Sequence, residues 1–269
     1  MIDLHCHMLP GIDDGASDLD TALAMARIAV DDGIRVTACT PHIYAGLYEN
    51  TGPGIKRAVV EFRARLEEAG IPLQITYGAD THLAPDLVSG LRNRQIPSLH
   101  GSRYFLLEPP HHVAPPRLQE SVFGLVTAGY IPVITHPERL TWIEEHYEWF
   151  RELVHCGAWM QLTAGSLTGR FGSAAQYWGE RLLDEGLTHI LATDAHGVSN
   201  RPPLLAEGRE AAEYWVGAEE AWHLVETRPQ GIVDNRDPAQ LPALPDVSDS
   251  RKAGARHKGS FFRRLLWGS

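Results

Sequence analysis

Seven short apolar runs alternate with stretches of helical periodicity over the first 230 residues, and that order leaves few folds open. The runs are Ile2–Leu4, Ile34–Thr40, Leu73–Tyr77, Tyr104–Leu107, Ile131–Thr135, Trp159–Leu162 and His189–Ala192. Leu19, Leu23, Ala26 and Val30 share one helical face, with Ser17 and Asp20 as its expected N-terminal cap. Val59, Phe62 and Leu66 form a second stripe, ended by Gly70 and Pro72. Further helices are expected over 118–128, 142–156, 174–185 and 218–226. Such alternation calls for parallel strands. Seven repeats in about 230 residues fit a closed α/β barrel better than an open sheet.

The barrel is expected to occupy residues 1–236. Residues 237–248 are rich in proline and aspartate and read as a linker. Residues 251–269 carry Arg251, Lys252, Arg256, Lys258, Arg263 and Arg264 with no acid, and end in an apolar, aromatic stretch. Residues 237–269 are expected to be flexible, with a peripheral contact to anionic lipid as the sharper reading of the tail. The net charge of −10 argues against a nucleic-acid partner. Three cysteines make no disulfide framework, and the first residues lack a secretory pattern. A cytoplasmic setting is the expectation.

The chemistry sits where the runs end. His5, Cys6 and His7 close the first run, and Asp13-Asp14-Gly15 follows. The later ends carry His42, Asp80 with His82, Glu108, His136, and Asp194 with His196. In a parallel barrel these ends converge on the active-site face. Residues two apart on a strand point the same way, so His5 and His7 can share one ion. Imidazole and carboxylate suit zinc, manganese or iron. So many donors exceed the four to six of a single ion, which implies two or three metals. Such sites hold phosphate oxygens and lower the pKa of a bridging water. Arg139 lies three residues beyond His136, and Arg201 five beyond His196. A guanidinium there suits a phosphate clamp.

Two other chemistries fit less well. A lysine-bridged amidohydrolase needs a lysine at a mid-barrel strand end, but before residue 252 the chain has only Lys56, in a helical stretch. A cysteine phosphatase loop needs arginine six residues after its cysteine. Cys6, Cys39 and Cys156 have Ile12, Ala45 and Leu162 there. Cys156 reads as a buried helix-end residue.

The opening Met-Ile-Asp-Leu-His-Cys-His with its Asp-Asp-Gly resembles the PHP superfamily of polymerase and histidinol phosphatase domains. The chain is more narrowly similar to the manganese-dependent bacterial protein tyrosine phosphatases of capsule and exopolysaccharide operons. Thr40-Pro41-His42, Tyr77-Gly78-Ala79-Asp80, Ile96-Pro97-Ser98-Leu99 with Ser102-Arg103-Tyr104, the 132–139 stretch, and Thr193-Asp194-Ala195-His196 with Arg201-Pro202-Pro203 carry the likeness. It implies a distorted (β/α)₇ barrel with three divalent ions, manganese first and iron or zinc as alternatives. The implied ligands are His5, His7, Asp14, His42, Asp80, Glu108, His136, Asp194 and His196, with Arg139 and Arg201 on the phosphate. The implied substrate is the phosphotyrosine-bearing tail of a membrane-associated bacterial tyrosine kinase. One departure is Asp80, where the family usually has glutamate. The alternatives are a small-molecule phosphatase of histidinol-phosphatase type and a metal-binding regulatory module without turnover.

Overall fold

The computed structural model describes residues 1–245. Its strands are β1 (Ile2–Cys6), β2 (Val36–Cys39), β3 (His42–Ile43), β4 (Gln74–Tyr77), β5 (Asp80–His82), β6 (Tyr104–Glu108), β7 (Ile131–Thr135), β8 (Trp159–Thr163) and β9 (Ile190–Ala192). They form one sheet ordered β1-β2-β4 and one ordered β3-β5-β6-β7-β8-β9, with every pairing parallel. Two of the seven expected staves are broken: β3 continues β2, and β5 continues β4. The first break falls at Pro41, which has no N–H for a ladder. The second falls at Gly78, where a Cβ would meet Leu99 at 2.8 Å and Thr40 at 3.0 Å. On the far side, His7 N–H donates to Ala195 O at 2.9 Å and Asp194 N–H to His5 O at 2.8 Å. Those two bonds carry the ring from β9 back to β1, so the barrel is distorted as expected.

The helices are α1 (Leu19–Asp31), α2 (Gly52–Glu68), α3 (Leu87–Arg92), α4 (Leu118–Thr127), α5 (Tyr147–His155), α6 (Ala164–Leu167), α7 (Gly172–Asp184), α8 (Ala206–Val216), α9 (Ala218–Trp222) and α10 (Arg228–Val233). The cap of α1 is Asp18 rather than Ser17, and its carboxylate accepts from Thr21 N–H at 2.8 Å. The helix expected from Trp142 starts only at Tyr147, because turns occupy the residues before it. The helix expected over 218–226 ends at Trp222 and passes through a wider π turn into α10. Cys156 caps α5 as expected but is half-buried rather than buried. None of the described helices is long and apolar enough to cross a membrane.

Ile2, Leu4, Tyr104, Leu106, Val133 and Ile190 come from strands all round the ring into one apolar cluster, with Ile232 and Leu241 below. A second cluster joins the outer strand faces to the helices. The stretch read as the start of a flexible linker is partly structured. Leu241 is buried, and Tyr104 Oη donates to Arg236 O at 2.9 Å. Arg228 is fully buried and pairs with both Glu220 oxygens at 2.6 and 3.0 Å. The same guanidinium reaches the carbonyls of His189, Pro242 and Ala243. Residues 237–245 therefore strap the N-terminal end of the barrel. The basic tail at 251–269 lies outside the described residues.

Candidate metal centre

A register shift between Asp3 and Cys6 marks a bulge in β1, where Asp3 accepts the His5 N–H at 3.3 Å. The bulge brings the Nε2 atoms of His5 and His7 within 3.2 Å of each other. What each Nδ1 does explains why Nε2 is the free donor. His5 Nδ1 lies 2.8 Å from Gln161 Oε1 on β8, and His7 Nδ1 lies 2.7 Å from Asp13 Oδ2. Both partners are acceptors, so Nδ1 carries the proton and Nε2 keeps its lone pair. Asp13 also takes N–H groups from Gly15 and His42. Glycine is required at 15, since a Cβ would stand 2.1 Å from His7 O.

All the sequence-derived candidates meet here. Asp194 Oδ1 faces His5 Nε2 at 3.3 Å, His7 Nε2 at 3.5 Å and His196 Nδ1 at 3.6 Å. Asp80 Oδ2 stands 3.4 Å from His5 Nε2 and 3.5 Å from His42 Nδ1. Asp14 Oδ1 lies between His42 Nε2 at 3.5 Å and His196 Nε2 at 3.4 Å. Glu108 faces His42 at 3.4 Å through Oε2 and His136 at 3.6 Å through Oε1. Arg139 and Arg201 both donate to Asp194 Oδ2, and both guanidiniums lie over the Phe171 ring.

Sequence reasoning missed several partners. Asp13 and Gln161 orient His7 and His5. His82, which follows Asp80 at its run's end, comes within 2.5 Å of Glu108 Oε2, and His111 Nε2 lies 3.9 Å from Oε1. Asp13 was visible beside Asp14. Gln161, His111 and Phe171 carry no signal outside the fold. Gln161 comes from the one stave whose end bears neither histidine nor acid.

The electrostatics follow from burial and sign. Burial alone would favour neutral His5, but Asp194 and Asp80 outweigh it and raise its pKa to about 9. His42 is likewise raised to about 9, with Glu108 and Asp80 outweighing burial. Burial and then the Arg139 charge hold His136 well below the ordinary histidine value. Burial opposes ionisation of Asp194, yet His5, Arg201 and Arg139 keep its carboxyl well below the usual range. Glu108 is lowered against burial by His42 and His82. His136 and Asp194 also hold positive φ, 35° and 51°, an unfavourable setting for non-glycine residues.

This donor set fits divalent cations. Buried Asp80 Oδ1 and His136 Nδ1 have no hydrogen-bond partner. Orphaned buried polar atoms are costly and need an explanation, and bound cations supply one. The donors fall into overlapping groups: His7-Asp14-His42-His196, His5-His7-Asp80, His5-His136-Asp194, His42-His82-Glu108 and Glu108-His111-His136.

The rim is aromatic. Tyr44 and Tyr48 face each other across a tight turn, with Tyr48 N–H donating to Tyr44 O at 2.8 Å. Tyr44 stacks on His82 at 3.9 Å between ring centroids, and Tyr48 on His42 at 5.5 Å. A mainly apolar cavity of about 460 Å³ opens beside them.

A parallel α/β ring gathering histidines and carboxylates at its strand C-terminal ends is the architecture of a metal-dependent hydrolase. The chain belongs to the capsular polysaccharide synthesis family CpsB/CapC, whose profile matches residues 1–234. It is 38% identical to the tyrosine-protein phosphatase YwqE of Bacillus subtilis over 226 residues, 84% of this chain and 89% of that one. It is 27% identical to the tyrosine-protein phosphatase CpsB of Streptococcus pneumoniae over 238 residues, 87% of this chain and 98% of that one. A crystal structure from work on YwqE and CpsB, described as metal-dependent tyrosine phosphatases, aligns with a TM-score of 0.86 at 35% identity. That alignment covers 91% of this chain and 98% of the other. A 2-pyrone-4,6-dicarboxylic acid hydrolase from Acinetobacter baumannii shares the fold, with a TM-score of 0.54 at 14% identity over 87% of this chain and 98% of its own.

Proposed function

We propose that this chain is a metal-dependent phosphomonoesterase acting on phosphotyrosine in protein. The observation that carries the reading is the meeting of three features at one mouth. A buried histidine–carboxylate cluster, two arginines on one of its carboxylates, and an aromatic rim stand together. His5, His7, Asp14, His42, Asp80, Glu108, His136, Asp194 and His196 would hold three divalent ions, manganese first, which would supply Lewis acidity for phosphate oxygens and a nucleophilic water at neutral pH.

The side chains do the rest. Asp13 and Gln161 hold the His7 and His5 rings in the metal-binding tautomer. Arg139 and Arg201 turn from Asp194 to the phosphoryl oxygens and neutralise charge as the aryl oxygen leaves. Phe171 supports both guanidiniums from below. Tyrosinate leaves with a pKa of about 10, so no strong general acid is needed. The apolar cavity beside Tyr44 and Tyr48 receives the substrate's aromatic ring and flanking chain, which favours an aryl phosphate over a small polar ester such as histidinol phosphate. Within the family likeness, the substrate chain is the tyrosine-bearing tail of a membrane-associated bacterial kinase. The basic stretch at 251–269 would bring the enzyme to that membrane.

The test is turnover with controlled metal. Purified protein hydrolyses a phosphotyrosyl peptide faster than histidinol phosphate, loses activity to chelator and regains it with Mn²⁺. In folded protein, Arg139→Ala lowers kcat by about 10²–10³. Chelator-insensitive turnover would overturn the metal reading, and a preference for histidinol phosphate would overturn the substrate reading.

A further inference from the structure

A second pocket lies on the flank of the barrel, beside the N-terminal end of β6 and away from the metal cluster. It is a cavity of about 440 Å³ between α2, α3 and the turn at Leu99–Gly101. Ile96, Pro97 and Ser98 of the Ile96-Pro97-Ser98-Leu99 motif, which the metal chemistry leaves unused, form part of its wall. Lys56, Arg92, Arg94 and His100 line it, and no carboxylate does. This is unusual in a chain with 34 acids and 24 lysines and arginines. Most described arginines pair with a carboxylate. Lys56, Arg92 and Arg94 pair with none among the described residues.

The pocket is built rather than loose. Arg94 holds φ at 61°, and its neighbour's carbonyl, Gln95 O, accepts from Gly52 N–H at 2.7 Å. His100 holds φ at 53°, with Nδ1 2.5 Å from Thr76 Oγ1. Lys56 Nζ sits 4.6 Å from the centroid of the Tyr77 ring. Tyr77 and Tyr130 give the pocket flat apolar surface, and Ser98 and Ser102 add hydroxyls. Unpaired cations select a dianion, the serines supply further hydrogen bonds, and the rings suit an aromatic carrier.

We propose that this pocket is a second, non-catalytic binding site for an aryl phosphate, specifically the side chain of phosphotyrosine. It binds without cleaving, because its walls offer no carboxylate to hold a metal. On the reading of the chain as a tyrosine phosphatase, the pocket retains one phosphotyrosine of a substrate chain while another is hydrolysed at the metal centre. The pocket and the metal centre lie near opposite ends of β6, five residues or about 17 Å long. Two phosphotyrosines on one extended chain must then stand at least about five residues apart.

The test is binding of a non-hydrolysable phosphonate analogue of phosphotyrosine, followed by calorimetry on the whole chain. The expected stoichiometry is two. Lys56→Ala with Arg94→Ala keeps the wild-type melting temperature and activity on a small aryl phosphate but binds one equivalent. Each single change weakens the second site about tenfold, and Lys56→Arg restores part of it. Inorganic phosphate, titrated separately, binds that site more weakly than the phosphonate. Equal affinity for inorganic phosphate would overturn the aryl assignment. Whatever the wild-type stoichiometry, a folded double variant that loses no equivalent would overturn the site, whereas a wild type that binds one equivalent and loses it in the double variant would keep this site and count against the metal centre alone. Because the readout is binding, a protein that hydrolyses nothing could still pass, so this proposal and the catalytic one fail separately.

Discussion

Asp13 touches no proposed ion, yet its removal should be felt by the metals. Its Oδ2 takes His7 Nδ1–H at 2.7 Å and the His42 N–H at 3.1 Å, and its Oδ1 takes the Gly15 N–H at 3.0 Å. One carboxylate therefore fixes the ring of one proposed ligand, the backbone of a second and the loop that bears Asp14. Asp13→Asn has a single oxygen to offer. With that oxygen toward His7, the His7 tautomer survives, but the amide faces the Gly15 N–H and one bond is lost. With the amide toward His7, Nδ1 must accept, Nε2 takes the proton, and the ligand is lost. The first arrangement is favoured and costs metal affinity about tenfold. Asp13→Ala loses all three bonds and costs about a hundredfold, the upper end for partners of metal-bound histidine. These correspond to about 1.4 and 2.7 kcal/mol. Competition against a fluorescent chelator measures them directly. Wild-type affinity in a folded Asp13→Ala protein would refute the argument.

Loading the site should acidify a weakly buffered solution. The carboxylates around His5 and His42 outweigh burial and raise both to about 9, so both carry protons at pH 7 until ions displace them. Apparent affinity then falls as pH drops from 9 towards 7. A titration that releases no protons contradicts this. Phe171→Leu keeps bulk but removes the ring face under Arg139 and Arg201, at 4.3 and 5.7 Å, and should lower kcat/KM about two- to fivefold. Unchanged kinetics would remove its supporting role. Arg228→Ala strands Glu220 and three carbonyls and should cost about 3–5 kcal/mol, read from urea unfolding. A shift under about 1 kcal/mol would make the strap decorative.

The ring and its donors were legible because a parallel barrel turns sequence order into geometry. Any residue at a run's end lands on one face, so His5, His42, Glu108, His136 and Asp194 could be placed together without coordinates. What stayed hidden depends on contacts across the ring. Gln161 is an ordinary strand polar residue until His5 lies 2.8 Å away. His111 and Phe171 lie in loops without periodicity. The breaks that set His42 and Asp80 on strands of their own follow from Pro41 and from a close approach at Gly78. Helix α8 escaped notice because only Gly208 and Ala212 within it are buried, too weak a stripe to read. Residues 237–245 look like linker by composition, and a buried arginine makes them structure.

That arginine also decides which way the barrel faces. The strap crosses the N-terminal end of the strands and brings the Pro245 carbonyl against Gly186, which precedes β9. The metal ligands gather at the opposite end. A tag, carrier or surface joined directly at residue 245 would hold the molecule from behind and turn its catalytic mouth outward, free to meet a bulky protein substrate head-on.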